Sequence, residues 1–205
     1  MQNRFEPEHN RLLVAFAVII SFIAILLLSF SICNAQTKYV LKADANILIA
    51  SELIAKTQVG IEEKKGNKGG NVEDYLRSVG IYKPAPYCMA GQYWCFWIAS
   101  KLTSIQNPIK KTAGAIDQYN FFKARGKRSA YVPAVNDFVF WQKSNSWAGH
   151  VERIIEVGEK GWVTTIGFNT GSDDRDGEGV YIRKRHILNP LSMLLIKGLG
   201  GYEFK

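Results

Sequence analysis

The segment from Cys88 to Leu102 constrains the fold more than any other part of this chain. It has helical length and is apolar on nearly every side, with Tyr93, Trp94, Phe96, Trp97 and Ile98 in close succession. A helix without a polar face has to be enclosed by other elements, so the pattern predicts a helix in the middle of a domain. Its start is fixed by what precedes it, because Pro84 and Pro86 force an extended approach and leave Cys88 at the helix mouth. A thiol there meets the positive end of the helix dipole and backbone N–H groups without intrahelical acceptors, both of which favour the thiolate. The competing reading is a small apolar side chain packed in a core, the usual environment of a free cysteine. Gly91, one turn on, is expected to leave room for another backbone.

The neighbouring elements follow from spacing. Asp44 can cap a helix to about Gln58, with Ile47, Leu48, Leu53 and Ile54 as an apolar stripe and Gly60 ending it. A polar, glycine-rich loop from Glu62 to Asn71 leads to a short helix over Val72 to Val79, closed by Gly80. Thr112 to Arg125 reads as a further helix with Ile116, Tyr119 and Phe122 on one side. Beyond Pro133 the period changes to that of strands: Asp137–Trp141, His150–Val157, Trp162–Phe168 and Gly179–Arg185, with the apolar Met193–Ile196 closing the sheet. Helices first and an antiparallel sheet second give an α+β domain.

At 205 residues the chain has room for one well-buried domain. Residues 1–35 are set apart from it. Leu12 to Ile32 carries no charge, follows Arg4 and Arg11, and precedes Cys33-Asn34-Ala35-Gln36. This is an export signal whose small residues favour cleavage after Ala35, although its length also suits an uncleaved membrane anchor over residues 12–32. Bulky Ile32 makes Cys33 a poor lipidation site. The first 35 residues hold Arg4 and Arg11 against Glu6 and Glu8, so the exported remainder keeps the whole formal charge of +8. That charge suits a polyanionic surface such as cell wall, whereas no run of five consecutive Lys/Arg points to nucleic acid. The exported part has two cysteines, Cys88 and Cys95. On one helix they stand about 10 Å apart along the axis, beyond the roughly 7 Å Cα limit for a disulfide, so both are expected as free thiols, with Cys95 in the core.

Attack on an amide by cysteine needs an imidazole to move its proton and a polar group to hold the imidazole. His150, after Gly149 at the start of an apolar strand, is the candidate base. His9 lies in the export segment, and His186 ends the charged run Arg183-Lys184-Arg185, which reads as solvated surface. Asn169, in Gly167-Phe168-Asn169-Thr170, is the candidate for the orienting group, its alternative role being a turn residue. No cluster has the ligand spacing of a zinc site, and Asp173 to Glu178 fails the EF-hand pattern and reads as a solvated turn. Neither metal nor cofactor is expected.

The order of Val59-Gly60-Ile61-Glu62 with Gly66-Asn67, Val72 to Gly80, Pro86-Tyr87-Cys88, Pro133 with Asn136-Asp137-Phe138-Val139, Gly149-His150-Val151 and Thr165-Ile166 with Asn169-Thr170 resembles a CHAP domain over about residues 45–185. This is the cysteine- and histidine-dependent amidohydrolase/peptidase family of the NlpC/P60-like, papain-related group. The resemblance implies a papain-like fold, a nucleophile at Cys88, a base at His150 and a polar orienting residue at Asn169. It also implies peptidoglycan as substrate, cut at an N-acetylmuramoyl-L-alanine amide or within a peptide, by a monomer that is periplasmic, secreted or anchored. Two positions depart from the family pattern. Gly167 stands where relatives often carry glutamate, leaving orientation to Asn169, and Asn136-Asp137 replaces the usual Gly-Asp. An inactive wall-binding module, and an antibacterial effector or phage-type lysin with the same chemistry, are the other readings.

Overall fold

The computed structural model describes residues 18–21, 37–64, 66–171 and 178–204. The chain divides into two units, Met1–Ala35 and Gln36–Lys205. Of the first, only a turn of helix at 18–21 is described, so the rest of the export segment and Cys33 lie outside the described residues. Among the described residues no helix is long and apolar enough to cross a membrane.

Among the described residues four helices belong to the second unit: α1 (Ala45–Thr57), α2 (Val72–Ser78), α3 (Cys88–Thr103) and α4 (Ala115–Arg125). Asp44 caps α1 as its sequence demands, its Oδ1 accepting from Asn46 N at 2.8 Å. The apolar row differs from the expected one. Ile47, Ser51 and Ala55 follow each other at i, i+4 and i+8 and are buried together with Leu48, whereas Leu53 is 58% exposed because it projects more than a quarter-turn away from that row. α4 starts three residues later than Thr112, behind Gly114, and buries Ile116, Tyr119 and Phe122.

The sheet has seven strands: β1 (Lys38–Ala43), β2 (Lys127–Ser129), β3 (Phe138–Lys143), β4 (Gly149–Val157), β5 (Trp162–Gly171), β6 (Glu178–His186) and β7 (Leu194–Phe204). Their order is β2-β1-β7-β3-β4-β5-β6. The domain is α+β, with three corrections to the expected layout. β1 precedes every helix of this unit, and it pairs with β7 in parallel, so the sheet is not wholly antiparallel. β7 also lies between β1 and β3 rather than closing an edge. A six-residue segment such as 38–43 carries little periodic signal, and its partner lies at the far end of the chain.

One sheet face carries the main core against α1, α3 and α4, including Phe96, Phe122, Phe138, Phe140 and Val151. A smaller cluster of Val139, Trp141, Ile154, Val163, Ile187 and Leu199 packs separately. Arg153 is wholly buried. Its Nη2 donates to Leu48 O, Ser51 Oγ and Asn136 Oδ1, and its guanidinium stacks 4.8 Å from the centre of the Phe96 ring. Asn136 has φ +76°, a conformation asparagine tolerates. Its side chain therefore gives Arg153 an acceptor that glycine would lack.

α3 is buried along its first half, but Trp97 is 37% exposed, so the helix is not enclosed throughout. What approaches Gly91 is a ring and not a backbone: a Cβ there would lie 2.1 Å from Phe168 Cδ1. Phe168 is itself fully buried and cannot swing away. Gly91→Ala should destabilise the fold by about 3 kcal/mol, the upper end of overpacking costs, as measured by urea unfolding. A change below about 0.5 kcal/mol would mean that α3 and β5 are not in fixed contact.

Candidate active site

Cys88 opens α3, and the residue before it, Tyr87, provides no side-chain cap. The N–H groups of the first turn are thus left for another acceptor. The thiol is 5% exposed, and its Sγ lies 4.0 Å from Gly149 O, which seats it against the start of β4. The next residue on that strand is His150. Cys88 and His150 are close enough to interact electrostatically, so the two residues singled out in sequence meet in the structure.

The other side of the imidazole holds a residue that the sequence reading missed. His150 Nε2 lies 3.2 Å from Glu152 Oε1. Glu152 is completely buried. Arg185 grips it bidentately, with Nε to Oε2 at 2.9 Å and Nη2 to Oε1 at 2.7 Å, and Thr165 Oγ1 donates to Oε2 at 2.6 Å. Directly opposite Glu152 in the β4–β5 register is Gly167. The signal was available in the period of a strand, since residues 150 and 152 share a face. Arg185 was less visible. It belongs to the run read as solvated surface, yet alternation along β6 buries Arg183, half-buries Arg185 and exposes Lys184.

Burial opposes charge on His150, but its interactions with Cys88 and Glu152 outweigh that cost and raise it to about 10. Burial likewise opposes ionisation of Glu152, and the bonds from His150 and Arg185 overcome it and hold the carboxyl well below its ordinary range. The ring and the carboxylate are thus a charged pair at neutral pH.

Asn169 does not touch the imidazole, contrary to the orienting role expected of it. It sits at a bulge in β5, where the register shifts between Phe168 and Thr170, with φ +52°. Its Oδ1 accepts from Tyr87 N at 2.9 Å, and its Nδ2 donates to Glu178 Oε2. The asparagine therefore ties β5 to the residue before Cys88, and the bulge is what turns its amide in that direction. Glu178, expected in a solvated turn, is the first residue of β6; residues 173–177 lie outside the described residues.

Cys88 and Cys95 are both free. Cys95 is fully enclosed, and burial pushes its thiol up to about 12. His186 pairs with Lys160 O at 2.8 Å. Among the described residues no group of three or more His, Cys, Asp or Glu could hold a metal ion.

An α+β domain that sets a helix-opening cysteine on a histidine backed by a carboxylate has the parts of a thiol-dependent hydrolase. Residues 80–169 match the model of the CHAP domain, a cysteine/histidine-dependent amidohydrolase/peptidase domain. The resemblance read from the motifs is borne out there. The matched stretch contains Cys88, His150, Glu152, Gly167 and Asn169, while Arg185, β1 and β7 lie outside it. No curated protein and no solved structure matches the chain.

The two shifted groups predict a pH dependence. Glu152 is held below its ordinary 4.5, so its contribution to stability is present above that pH and is lost on acidification. His150 is raised from 6.5 to about 10, so its contribution is complete below 6.5 and is lost as pH rises toward 10. The stability lost on Glu152→Gln should therefore be greatest between pH 4.5 and 6.5, about 3 kcal/mol for breaking a buried pair, and should shrink on both sides. Urea unfolding of both proteins across pH checks this, and a flat difference would contradict it.

Proposed function

We propose that this protein is an exported peptidoglycan hydrolase that cleaves an amide bond through Cys88 and His150, on a papain-like arrangement of α3 and the sheet. The observation that carries the reading is the thiol at the open end of α3, seated at the start of β4 beside an imidazole whose Nε2 is held by Glu152. In the reaction His150 already holds the proton that leaves Cys88, and the sulfur bonds to the scissile carbonyl carbon, moving the carbonyl electron pair onto oxygen. The free N–H groups at the start of α3 are suited to that oxyanion. Collapse of the tetrahedral species breaks the C–N bond, and His150 protonates the departing amine. Water, deprotonated by His150, then releases the acyl group and regenerates the thiol. Glu152 keeps the ring aligned throughout and balances its charge whenever it is protonated.

The substrate class follows from the CHAP domain, whose hydrolases act on peptidoglycan, and the formal charge of +8 suits an anionic wall. The N-terminal apolar segment delivers the domain to that compartment, as a cleaved signal or an anchor. An inactive module was suggested by the glycine at position 167; a carboxylate from Glu152 at His150 removes that ground.

Mass spectrometry of purified peptidoglycan incubated with the protein tests the reading. New amine and carboxyl ends should appear at one bond type, and Cys88→Ala should remove them while the unfolding midpoint stays put. Cys95→Ser should instead keep activity per folded molecule and lose about 1–3 kcal/mol of stability by placing a hydroxyl in an apolar site. Intact wall after incubation with wild type, or turnover by Cys88→Ala, would sink the assignment. Binding to wall should weaken as salt rises, because ionic strength near the physiological value screens charge beyond about 8–10 Å.

A further inference from the structure

We propose that Glu152 is the positioning residue of this site and that it occupies, from the neighbouring strand, the space a side chain at position 167 would fill, with Arg185 locking it in place. The proposal rests on the reading of Cys88 and His150 given above. Its basis is a steric exclusion. A Cβ built on Gly167 would lie 2.9 Å from Glu152 Oε1 and 3.0 Å from its Cδ and Cγ. The carboxylate therefore stands where residue 167 would point, and the two positions are direct partners across β4 and β5. One carboxylate fits in that space, and either strand has the geometry to supply it. Here β4 does so, and glycine on β5 is what makes room.

The bonding explains why the group orients the ring and does more than fill the core. Oε1 is shared between His150 Nε2 and Arg185 Nη2, and Oε2 between Arg185 Nε and Thr165 Oγ1. The planar guanidinium fixes the plane of the carboxylate, and the fixed carboxylate sets the rotation of the imidazole, turning its other nitrogen to Cys88. Thr170 Oγ1, 3.5 Å from both Oε1 and Arg185 Nη2, closes the remaining side. The charged and titratable groups around His150 are Cys88 from α3, Glu152 from its own strand, and Arg185 and Glu178 from β6. Trp141 on β3 flanks the ring without charge, its centroid 6.1 Å away. Asn169 is committed to Tyr87 and Glu178, so its amide is not available to share the task.

An exchange of residues between the strands tests this. Alkylation of Cys88 by iodoacetamide in the full chain, followed peptide by peptide across pH, reads the thiol–imidazole pair without any substrate, and Cys33 and buried Cys95 serve as internal comparisons. Glu152→Gln, nearly isosteric, should slow alkylation of Cys88 at pH 5 by tenfold or more and move the acid limb of the profile upward. Gly167→Glu alone should also impair it, because two carboxylates would compete for one space. The double variant Glu152→Ala/Gly167→Glu should alkylate at pH 5 at least fivefold faster than Glu152→Ala, with the acid limb returned toward that of wild type. A wild-type profile in Glu152→Gln would overturn the proposal, and so would a folded double variant no better than Glu152→Ala. Wall hydrolysis by the same proteins is scored separately, so that a wild type with the expected alkylation profile but no hydrolysis would refute the proposed reaction and leave the positioning role standing.

Discussion

An unpaired carboxylate is among the costliest groups a protein can enclose, and Glu152 is enclosed completely. The structure offsets that cost with charged and polar donors drawn from three strands: His150 on its own strand, Thr165 on β5 and Arg185 on β6. Each donor is itself constrained by the bond it makes, so the side of the sheet formed by β4, β5 and β6 is pinned at one point. That point is also the back of the imidazole. The same interaction therefore holds together the strands that carry the site and sets the protonation state of its base.

The thiol is placed by a second set of contacts, independent of the first. Gly91 lets the Phe168 ring lie directly on α3, and one residue further along β5 the bulge at Asn169 ties back to Tyr87 N. Helix and strand are thereby fixed at adjoining points, one apolar and one polar, on either side of Cys88 in the sequence. Deeper in the domain, Arg153 links Asn136, α1 and the Phe96 ring of α3, which anchors β4 just past the His150–Glu152 segment. A base that must stay within bonding distance of a thiol on another element needs both elements held this way.

The two buried thiols show how far environment separates identical groups. Cys95, inside α3 with no unpaired helix end beside it, is kept protonated by burial, whereas Cys88 at the open end of the same helix faces an imidazole held charged at neutral pH. Seven residues of one helix separate a packing atom from a candidate nucleophile.

Much of this was legible in the sequence because local rules govern it: the cap at Asp44, the proline-led start of α3, the placement of Cys88 and Cys95, and the four strands from β3 to β6 all follow from nearest neighbours and period. His150 was singled out by elimination among three histidines. What sequence could not decide was pairing across distance. β1 became a strand through its distant partners β2 and β7, and β7 took a central place because β1 and β3 both pair with it. That the imidazole bonds Glu152 and the Asn169 amide bonds Tyr87 and Glu178 has the same kind of reason. Which side chain reaches an imidazole depends on strand register, on a bulge that turns one amide away and on a glycine that leaves space opposite. The sequence by itself determined the candidate thiol, the candidate base and most of the elements that bear them. Tertiary structure alone decided which carboxylate stands behind the base, because that choice is a contact between strands and not a property of either one.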